Sequence, residues 1–256
     1  MGKIIAVSNQ KGGVGKTTTV INVCAGIAAR GFRVLIVDLD PQGNATSGCG
    51  IAKKKVVRSV YNAMADASTV GQCVLYTATE NMFIMPANAD LAGAEIEMVE
   101  VENREFLLKK ALHAIRDKFD YIFIDCPPSL GMLTLNALNA ADTVLIPIQC
   151  EYFALEGLSQ LTNTIRLVRQ RYNPNLAIEG VLLTMFDGRL NLCLQAAQEI
   201  KKYFADKMYA MAIPRNVRIS EAPSHGMSVL QYDRSCKGAA AYDAVAVEFL
   251  KRNGRI

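Results

Sequence analysis

The stretch Asn9-Gln-Lys-Gly-Gly-Val-Gly-Lys-Thr-Thr-Thr19 decides the fold, because it joins an apolar run to a helical pattern through a glycine-rich loop. It nearly matches the phosphate-loop pattern G-x-x-x-x-G-K-[ST], in which backbone N–H groups surround a phosphate at a helix N-terminus. Gln10 stands where that pattern requires its first glycine, and Lys11 adds a second lysine five positions before Lys16. The sequence therefore predicts a phosphate site and leaves the purpose of Lys11 to be explained.

The residue types in this loop suit a nucleoside triphosphate. Gly12, Gly13 and Gly15 allow the backbone to direct its N–H groups towards one anion. We expect Lys16 to contact the β- and γ-phosphates and Thr17 to bind Mg²⁺ through its hydroxyl.

Short apolar runs alternate with helical patterns along the chain. Runs of β-branched residues without polar alternation are typical of central strands in a parallel sheet that is covered on both faces. Strands are predicted at residues 4–7, 34–37, 83–85, 121–124, 143–146 and 178–183, and helices at 16–30, 104–118, 155–171, 192–204 and 238–251. This alternation predicts an α/β fold with a single doubly wound, mostly parallel sheet and helices on both faces.

Composition narrows the class of protein. No repeat, low-complexity tract or linker interrupts the 256 residues, so we expect one domain over residues 1–256. No apolar run approaches the roughly 18 residues that span a bilayer, and the N-terminus lacks a signal-peptide pattern. We therefore expect a cytoplasmic protein.

The charged and sulfur-containing residues carry further information. Seven scattered cysteines without a C-x-x-C pair, together with only two histidines, argue against a disulfide framework or a Cys/His metal site. We expect the cysteines to be buried, reduced thiols. The net charge of +4 does not by itself indicate nucleic acid, but residues 160–220 carry nine Lys/Arg against four Asp/Glu, a larger local excess.

Two of the predicted strands run directly into carboxylates. Asp125 ends the run Tyr121-Ile-Phe-Ile-Asp125, and Asp38 and Asp40 follow the apolar run at residues 34–37. Mg²⁺ prefers oxygen ligands and keeps part of its hydration shell, so Asp125 is expected to hold the metal through a water. Of Asp38 and Asp40, one can lie near the metal while the other orients the water that attacks the γ-phosphate.

These segments resemble the ParA/MinD superfamily of deviant Walker A ATPases, which are P-loop NTPases. Lys11-Gly-Gly-Val-Gly-Lys-Thr-Thr18 resembles the deviant Walker A motif, to which Gln10 conforms, and Asp125-Cys-Pro-Pro-Ser129 resembles Walker B. Asp38-Leu-Asp-Pro-Gln-Gly-Asn-Ala-Thr46 resembles Walker A′. Residues 184–189 and 213–223 are similar to the chromosomal ParA branch called Soj, and the likeness extends over nearly the whole chain.

The resemblance implies an ATPase that uses ATP and Mg²⁺, and it assigns roles residue by residue. Nucleotide binding falls to two groups: Lys11, Gly12, Gly13, Val14, Gly15, Lys16, Thr17 and Thr18 around the phosphates, and Thr184, Met185, Pro214 and Arg215 around the adenine. Metal binding falls to Thr17, Asp38 and Asp125, and catalysis to Lys11, Lys16 and Asp40, with Asp40 positioning the water.

The resemblance also offers a role for the second lysine. In such proteins the residue at the position of Lys11 reaches across a two-fold interface to the phosphates bound by the other subunit. A cation supplied in this way attracts the partner only when the γ-phosphate is present. The chain is therefore expected to form an ATP-dependent homodimer that hydrolysis releases.

The function implied by the resemblance is ATP-dependent DNA partitioning, that is, chromosome or plasmid segregation. The dimer would bind double-stranded DNA without sequence preference, and a ParB-type centromere-binding protein would stimulate an otherwise slow hydrolysis. Arg189 and Arg218 are the candidate DNA contacts, and the protein would associate with the nucleoid. The alternative for these arginines is ordinary solvation, or a pair between Arg218 and Glu221 on one helical turn.

Other functions on the same fold remain open alternatives. A MinD-like regulator would bind membrane through a C-terminal amphipathic helix, but Tyr242, Val245 and Phe249 have core-facing spacing and the last helix ends near Gly254, so we expect no membrane binding. A metabolic phosphoryl-transfer or ligase enzyme would need a carboxylate or histidine cluster for a small substrate. An iron–sulfur ATPase would need shared cysteines, and a plasmid-type ParA often carries an added N-terminal DNA-binding domain, which we do not expect here.

Overall fold

The computed structural model describes residues 1–151 and 154–256, and its strands form one seven-stranded sheet. The strands are β1 (Lys3–Val7), β2 (Val34–Asp38), β3 (Leu75–Tyr76), β4 (Met82–Met85), β5 (Tyr121–Asp125), β6 (Thr143–Gln149) and β7 (Ala177–Thr184). The α-helices are α1 (Lys16–Ala28), α2 (Asn44–Gly48), α3 (Val60–Ala65), α4 (Asp90–Glu97), α5 (Leu107–His113), α6 (Met132–Ala140), α7 (Ala154–Arg171), α8 (Asn191–Phe204), α9 (Val217–Glu221), α10 (Val229–Tyr232) and α11 (Lys237–Arg252).

The sheet confirms the predicted doubly wound, mostly parallel architecture. Its strand order is β3-β4-β2-β5-β1-β6-β7, and every neighbouring pair except β3–β4 is parallel. All six predicted strands are present. The strand that the sequence analysis missed is β3, whose two residues pair antiparallel with β4 at one edge of the sheet.

Two predicted helices are shorter than expected. The helix predicted at residues 104–118 is α-helical only over α5, with single 3₁₀ turns at Arg104–Phe106 and Arg116–Lys118. Asn103 precedes the first of these turns with a left-handed φ of 56°, which prevents a helix from beginning earlier. The first helix ends at Ala28, and Gly31, with φ 84°, turns the chain away.

Helices cover both faces of the sheet. One buried apolar cluster lies under α3 to α8, and the other lies under α1, α2 and α9 to α11. Tyr242, Val245 and Phe249 of α11 are buried as predicted, and six of the seven cysteines are buried free thiols. Within the described ranges, no helix has both the length and the apolarity to span a bilayer.

An irregular segment runs along the outer edge of β7. Tyr209 donates its N–H to the carbonyl of Val181, Ile213 donates to Leu183, and Phe186 donates to Ile213. These bonds bring the segment before α9 beside the end of β7. Because the carboxyl ends of parallel strands meet at one rim of a sheet, this segment and the loops after β1, β2, β5 and β7 lie at the same rim.

Candidate nucleotide-binding site

The loop between β1 and α1 has the conformation that its glycines predict. Gly13 and Gly15 have φ angles of 74° and 84°, in the left-handed region that favours glycine, and Gly15 is the N-terminal cap of α1. A methyl group added at Gly12 or Gly13 would meet no atom within 4 Å. The outer side of the loop is therefore open to an anion at a helix N-terminus.

Two side chains that the sequence analysis did not assign to this role hold the loop in place. The amide of Asn9 donates to the carbonyl of Pro147 (2.8 Å), and its oxygen accepts the N–H of Lys11 (3.0 Å). Thr184, predicted only as an adenine contact, donates its hydroxyl to the carbonyl of Val14 (2.8 Å). The sequence signal for Asn9 was its place at the start of the glycine-rich loop, since an asparagine side chain at a turn often accepts the N–H of the residue two positions later.

The two lysines occupy different environments. The Lys16 side chain is buried, and its Nζ donates to the carbonyl of Lys11 at 3.3 Å. Burial lowers the pKa of Lys16, and the nearby Asp125 and Asp40 carboxyls partly oppose that shift. Lys11 has a more exposed side chain, and its Nζ forms an ion pair with Glu151, a residue that the sequence analysis did not single out.

Three carboxyls meet beside the loop, as predicted. Asp38 and Asp125 are register partners on β2 and β5, and both are fully buried. Asp38 Oδ2 accepts the N–H (2.7 Å) and the hydroxyl (2.6 Å) of Thr46, while Asp40 is almost buried and accepts the N–H of Gln42 (2.9 Å). Thr46, another residue that the sequence analysis left without a role, therefore fixes the orientation of the Asp38 carboxyl.

The shared burial of these carboxyls changes their titration. Burial raises the pKa of Asp38 to about 6, against the hydrogen bonds from Thr46. Burial, and then repulsion from Asp38, raise the pKa of Asp125 well above its ordinary value, while the nearby Thr17 hydroxyl and Lys16 oppose the rise. Neither oxygen of Asp125 has a hydrogen-bond partner within the described ranges.

These groups fit a magnesium ion. Two buried carboxyls and a threonine hydroxyl supply the oxygen ligands that Mg²⁺ prefers. The unpartnered Asp125 oxygens mark a place where a bound cation or its water would satisfy groups that the chain itself leaves unpaired. Thr17, Asp38 and Asp125 are the donors that the sequence analysis expected, and their binding of Mg²⁺ stays a prediction.

A cavity of about 420 Å³ adjoins the loop, and all four residues predicted around the adenine line it. Its lining comprises Gly15, Thr18, Thr184, Met185, Ile213, Pro214, Arg215, Asn216, Val217, Ile219, Ser220, Pro223 and Tyr242. Met185 has a left-handed φ of 49°, an uncommon conformation that often accompanies functional sites. The mixture of apolar walls and backbone polar groups suits a purine.

The two arginines predicted to contact DNA are both paired with carboxylates. Arg189 is highly exposed and forms two hydrogen bonds to Asp187 (2.9 and 2.7 Å). Arg218, in the first turn of α9, pairs with Glu221 at 2.9 Å and with Asp233 at 3.4 Å. The alternative pair between Arg218 and Glu221 is therefore present.

Comparison with known proteins agrees with this geometry. A family model described as an AAA domain matches residues 2–178. The chain is 58% identical over 248 residues to the sporulation initiation inhibitor protein Soj of Bacillus subtilis, covering 97% of this chain and 98% of that protein. It is 47% identical over 255 residues to the chromosome-partitioning ATPase Soj of Treponema pallidum, covering all of both.

A solved structure resembles the chain over its whole length. It is the cobyrinic acid a,c-diamide synthase of Mycobacterium smegmatis with bound ADP and magnesium, 38% identical, with a TM-score of 0.85 and coverage of 100% of this chain and 97% of that one. The phosphate loop, the buried carboxyls and the full-length likeness to two Soj proteins lead to one conclusion: the chain belongs to the Soj/ParA family of chromosome-partitioning ATPases within the ParA/MinD group.

Proposed function

We propose that this chain is a DNA-partitioning ATPase in which ATP controls a homodimer and the dimer binds DNA. The observation that supports this most directly is the arrangement at one rim of the sheet. An open phosphate loop, three carboxyls and the cavity of about 420 Å³ adjoin one another there, and Lys11 stands on the exposed side of the loop. We treat residues 1–256 as one ATPase domain, because α1 and α11 pack together in one core.

Each group at the rim has a task in hydrolysis. The N–H groups of the loop and the Lys16 ammonium bind the β- and γ-phosphates. Thr17, Asp125 and Asp38 would hold Mg²⁺, which would supply positive charge to offset that of the phosphates. Asp40, nearly buried and held by the N–H of Gln42, orients the water that attacks the γ-phosphate.

Dimerisation follows from Lys11. An ammonium outside its own phosphate pocket is available to a second nucleotide that faces it across a two-fold axis. The attraction exists only while both protomers carry a γ-phosphate, so hydrolysis releases the dimer. A ParB-type partner accelerates that step, which the isolated chain performs slowly.

DNA binding is assigned to Arg189 and Arg218. Their carboxylate partners reduce the net charge that each arginine offers, so a single protomer binds DNA weakly. A dimer doubles the number of phosphate contacts and makes weak patches effective. Binding is non-specific and places the protein on the nucleoid of the cytoplasm.

Sedimentation of the full chain tests this proposal. With ATP and Mg²⁺ the protein should sediment as a dimer and co-sediment with plasmid DNA of any sequence, and with ADP it should do neither. Arg189→Glu or Arg218→Glu should weaken DNA binding and reduce its salt dependence, since each phosphate contact contributes roughly 0.9 to the slope of log affinity against log salt. Dimerisation should be unchanged in both variants.

The same experiment separates the rival functions. Co-sedimentation of the ATP dimer with anionic liposomes instead of DNA would support a MinD-like membrane regulator. A monomer that hydrolyses ATP only with a small carboxylic acid and an amide donor would favour a metabolic ligase. Either result would overturn DNA partitioning.

A further inference from the structure

Lys11 is held by a residue that lies far from it in the sequence. Its Nζ pairs with the Glu151 carboxylate, which follows the end of β6, 140 positions later. The two side chains are 39% and 42% exposed, so the pair lies at the surface of the rim and not in the core. No other partner of the Lys11 ammonium is found within the described ranges.

The main chain on both sides of this pair is fixed. The Lys11 N–H is bound by Asn9, and the Lys11 carbonyl accepts the Lys16 ammonium. On the other side, the Glu151 N–H donates to Gln149 (2.9 Å), and the preceding Cys150 is buried in the core. Both backbones are held, so only the Lys11 side chain can change its position. It can pair with Glu151 or with another anion within its reach.

We propose that Glu151 is a positioning residue that holds the Lys11 side chain within its own protomer and thereby weakens the ATP-dependent dimer. This inference rests on the proposed function, in which Lys11 binds the nucleotide of the partner subunit. In this proposal the Lys11 ammonium leaves Glu151 when the side chain extends to the phosphates of the partner subunit. Every dimer that forms must therefore break two such ion pairs, one in each protomer.

The size of the effect follows from the exposure of the pair. A solvent-exposed ion pair changes an equilibrium by roughly 1.4- to 5-fold. Because two pairs break for each dimer, removing the Glu151 charge should tighten dimerisation by about 2- to 25-fold. The change should disappear when Lys11 is absent.

The test is Glu151→Gln, which keeps the shape of the side chain and removes its charge. The dimer dissociation constant is measured by analytical ultracentrifugation with Mg²⁺ and a non-hydrolysable ATP analogue. Glu199→Gln is the matched control, because Glu199 pairs with Lys202 on α8 and its loss removes the same charge from an exposed Lys–Glu pair. The double variant Lys11→Ala/Glu151→Gln is compared with Lys11→Ala alone.

We expect a lower dissociation constant for Glu151→Gln, no shift for Glu199→Gln, and a Lys11→Ala/Glu151→Gln protein that stays monomeric, like Lys11→Ala alone. A dissociation constant that is unchanged or raised by Glu151→Gln would overturn the inference while leaving the proposed function intact. A wild-type protein that fails to dimerise with the analogue would overturn the proposed function itself. Equal tightening by both single variants would show a general charge effect and would also refute the role of Glu151.

Discussion

Replacing Asp125 with asparagine should stabilise the protein measured without nucleotide or metal. Asp125 is fully buried and neither of its oxygens has a hydrogen-bond partner among the described residues, so an amide at this position would lose no donor that the carboxylate now uses. Burial and the neighbouring Asp38 raise its pKa well above the ordinary 3.8. Keeping this carboxyl therefore destabilises the folded protein, and the variant removes that penalty.

The size of the stabilisation by Asp125→Asn follows from the linkage between protonation and folding. Each pH unit between 3.8 and the raised pKa costs the folded protein up to about 1.4 kcal/mol. Thr17 and Lys16 favour the ionised form and recover part of this cost. The asparagine amide is still a buried polar group without a partner, so the variant removes only the cost of the charge, and we expect a net gain of about 1–3 kcal/mol at pH 7.5. The melting temperature should rise by about 2–4 °C for each kcal/mol.

The sign of the pH dependence is fixed by the direction of the shift. Because the folded carboxyl keeps its proton to higher pH than the unfolded one, the wild-type free energy of unfolding should fall as the pH rises above about 4. The raised pKa of Asp38, about 6, contributes to this fall in the wild-type protein between pH 4 and 6. The advantage of the variant should therefore be small near pH 4 and grow with pH.

Urea unfolding followed by circular dichroism, in EDTA at pH 4.5, 6.0 and 7.5, measures this difference. Asp142→Asn is the control, because Asp142 Oδ2 accepts the N–H of Ile4 (2.8 Å) and the guanidinium of Arg116 (2.5 Å), and its replacement should destabilise the protein. An Asp125→Asn protein that is less stable than wild type at pH 7.5, or equally stabilised at all three pH values, would refute the reasoning. The stabilised variant should also lose Mg²⁺-dependent hydrolysis.

Four other variants and one control test the site and the packing. Lys16→Ala should abolish nucleotide binding in a fluorescent-nucleotide titration, whereas Lys11→Ala should bind nucleotide as a monomer; equal losses in the two would remove the distinction between the lysines. Asp40→Ala should bind ATP and dimerise but release little phosphate, and wild-type turnover would point to another base. Gly26→Ala should lower the free energy of unfolding by about 1–3 kcal/mol, because its methyl would lie 2.6 Å from the Ala246 side chain. Gly157→Ala, in α7, is its control and should be neutral or stabilising, since no atom lies within 4 Å.

The sequence predicted what periodicity and local chemistry determine. Uninterrupted apolar runs indicated the central strands. Carboxylates at the strand ends, together with the glycines and lysines of the loop, indicated the nucleotide-binding site. Thr184, Met185, Pro214 and Arg215 were placed around one cavity by resemblance, and the structure brings them together there. Strand β3 was missed because two residues carry no periodic signal.

Contacts between distant segments could not be predicted in this way. The pair between Lys11 and Glu151 joins two loops that approach only after β1 and β6 pair in the sheet. Thr46 reaches Asp38 through the tight turn before α2, and its hydroxyl also accepts the N–H of Ala87 from the end of β4. Such contacts depend on the order of the strands in the sheet, which the local patterns of a single sequence do not reveal.

Each edge of the sheet has a feature that limits pairing with a strand from another molecule. A parallel sheet gains its pairings late in folding, and an unpaired edge can recruit a strand from another molecule. On one side the exposed strand is β3, only two residues long, which offers little length for such pairing. On the other side, Tyr209 and Ile213 already bond to β7. A misfolded chain in which the segment from Tyr209 to Ile213 detaches would expose β7. Substitutions that loosen this segment should therefore favour inclusion bodies.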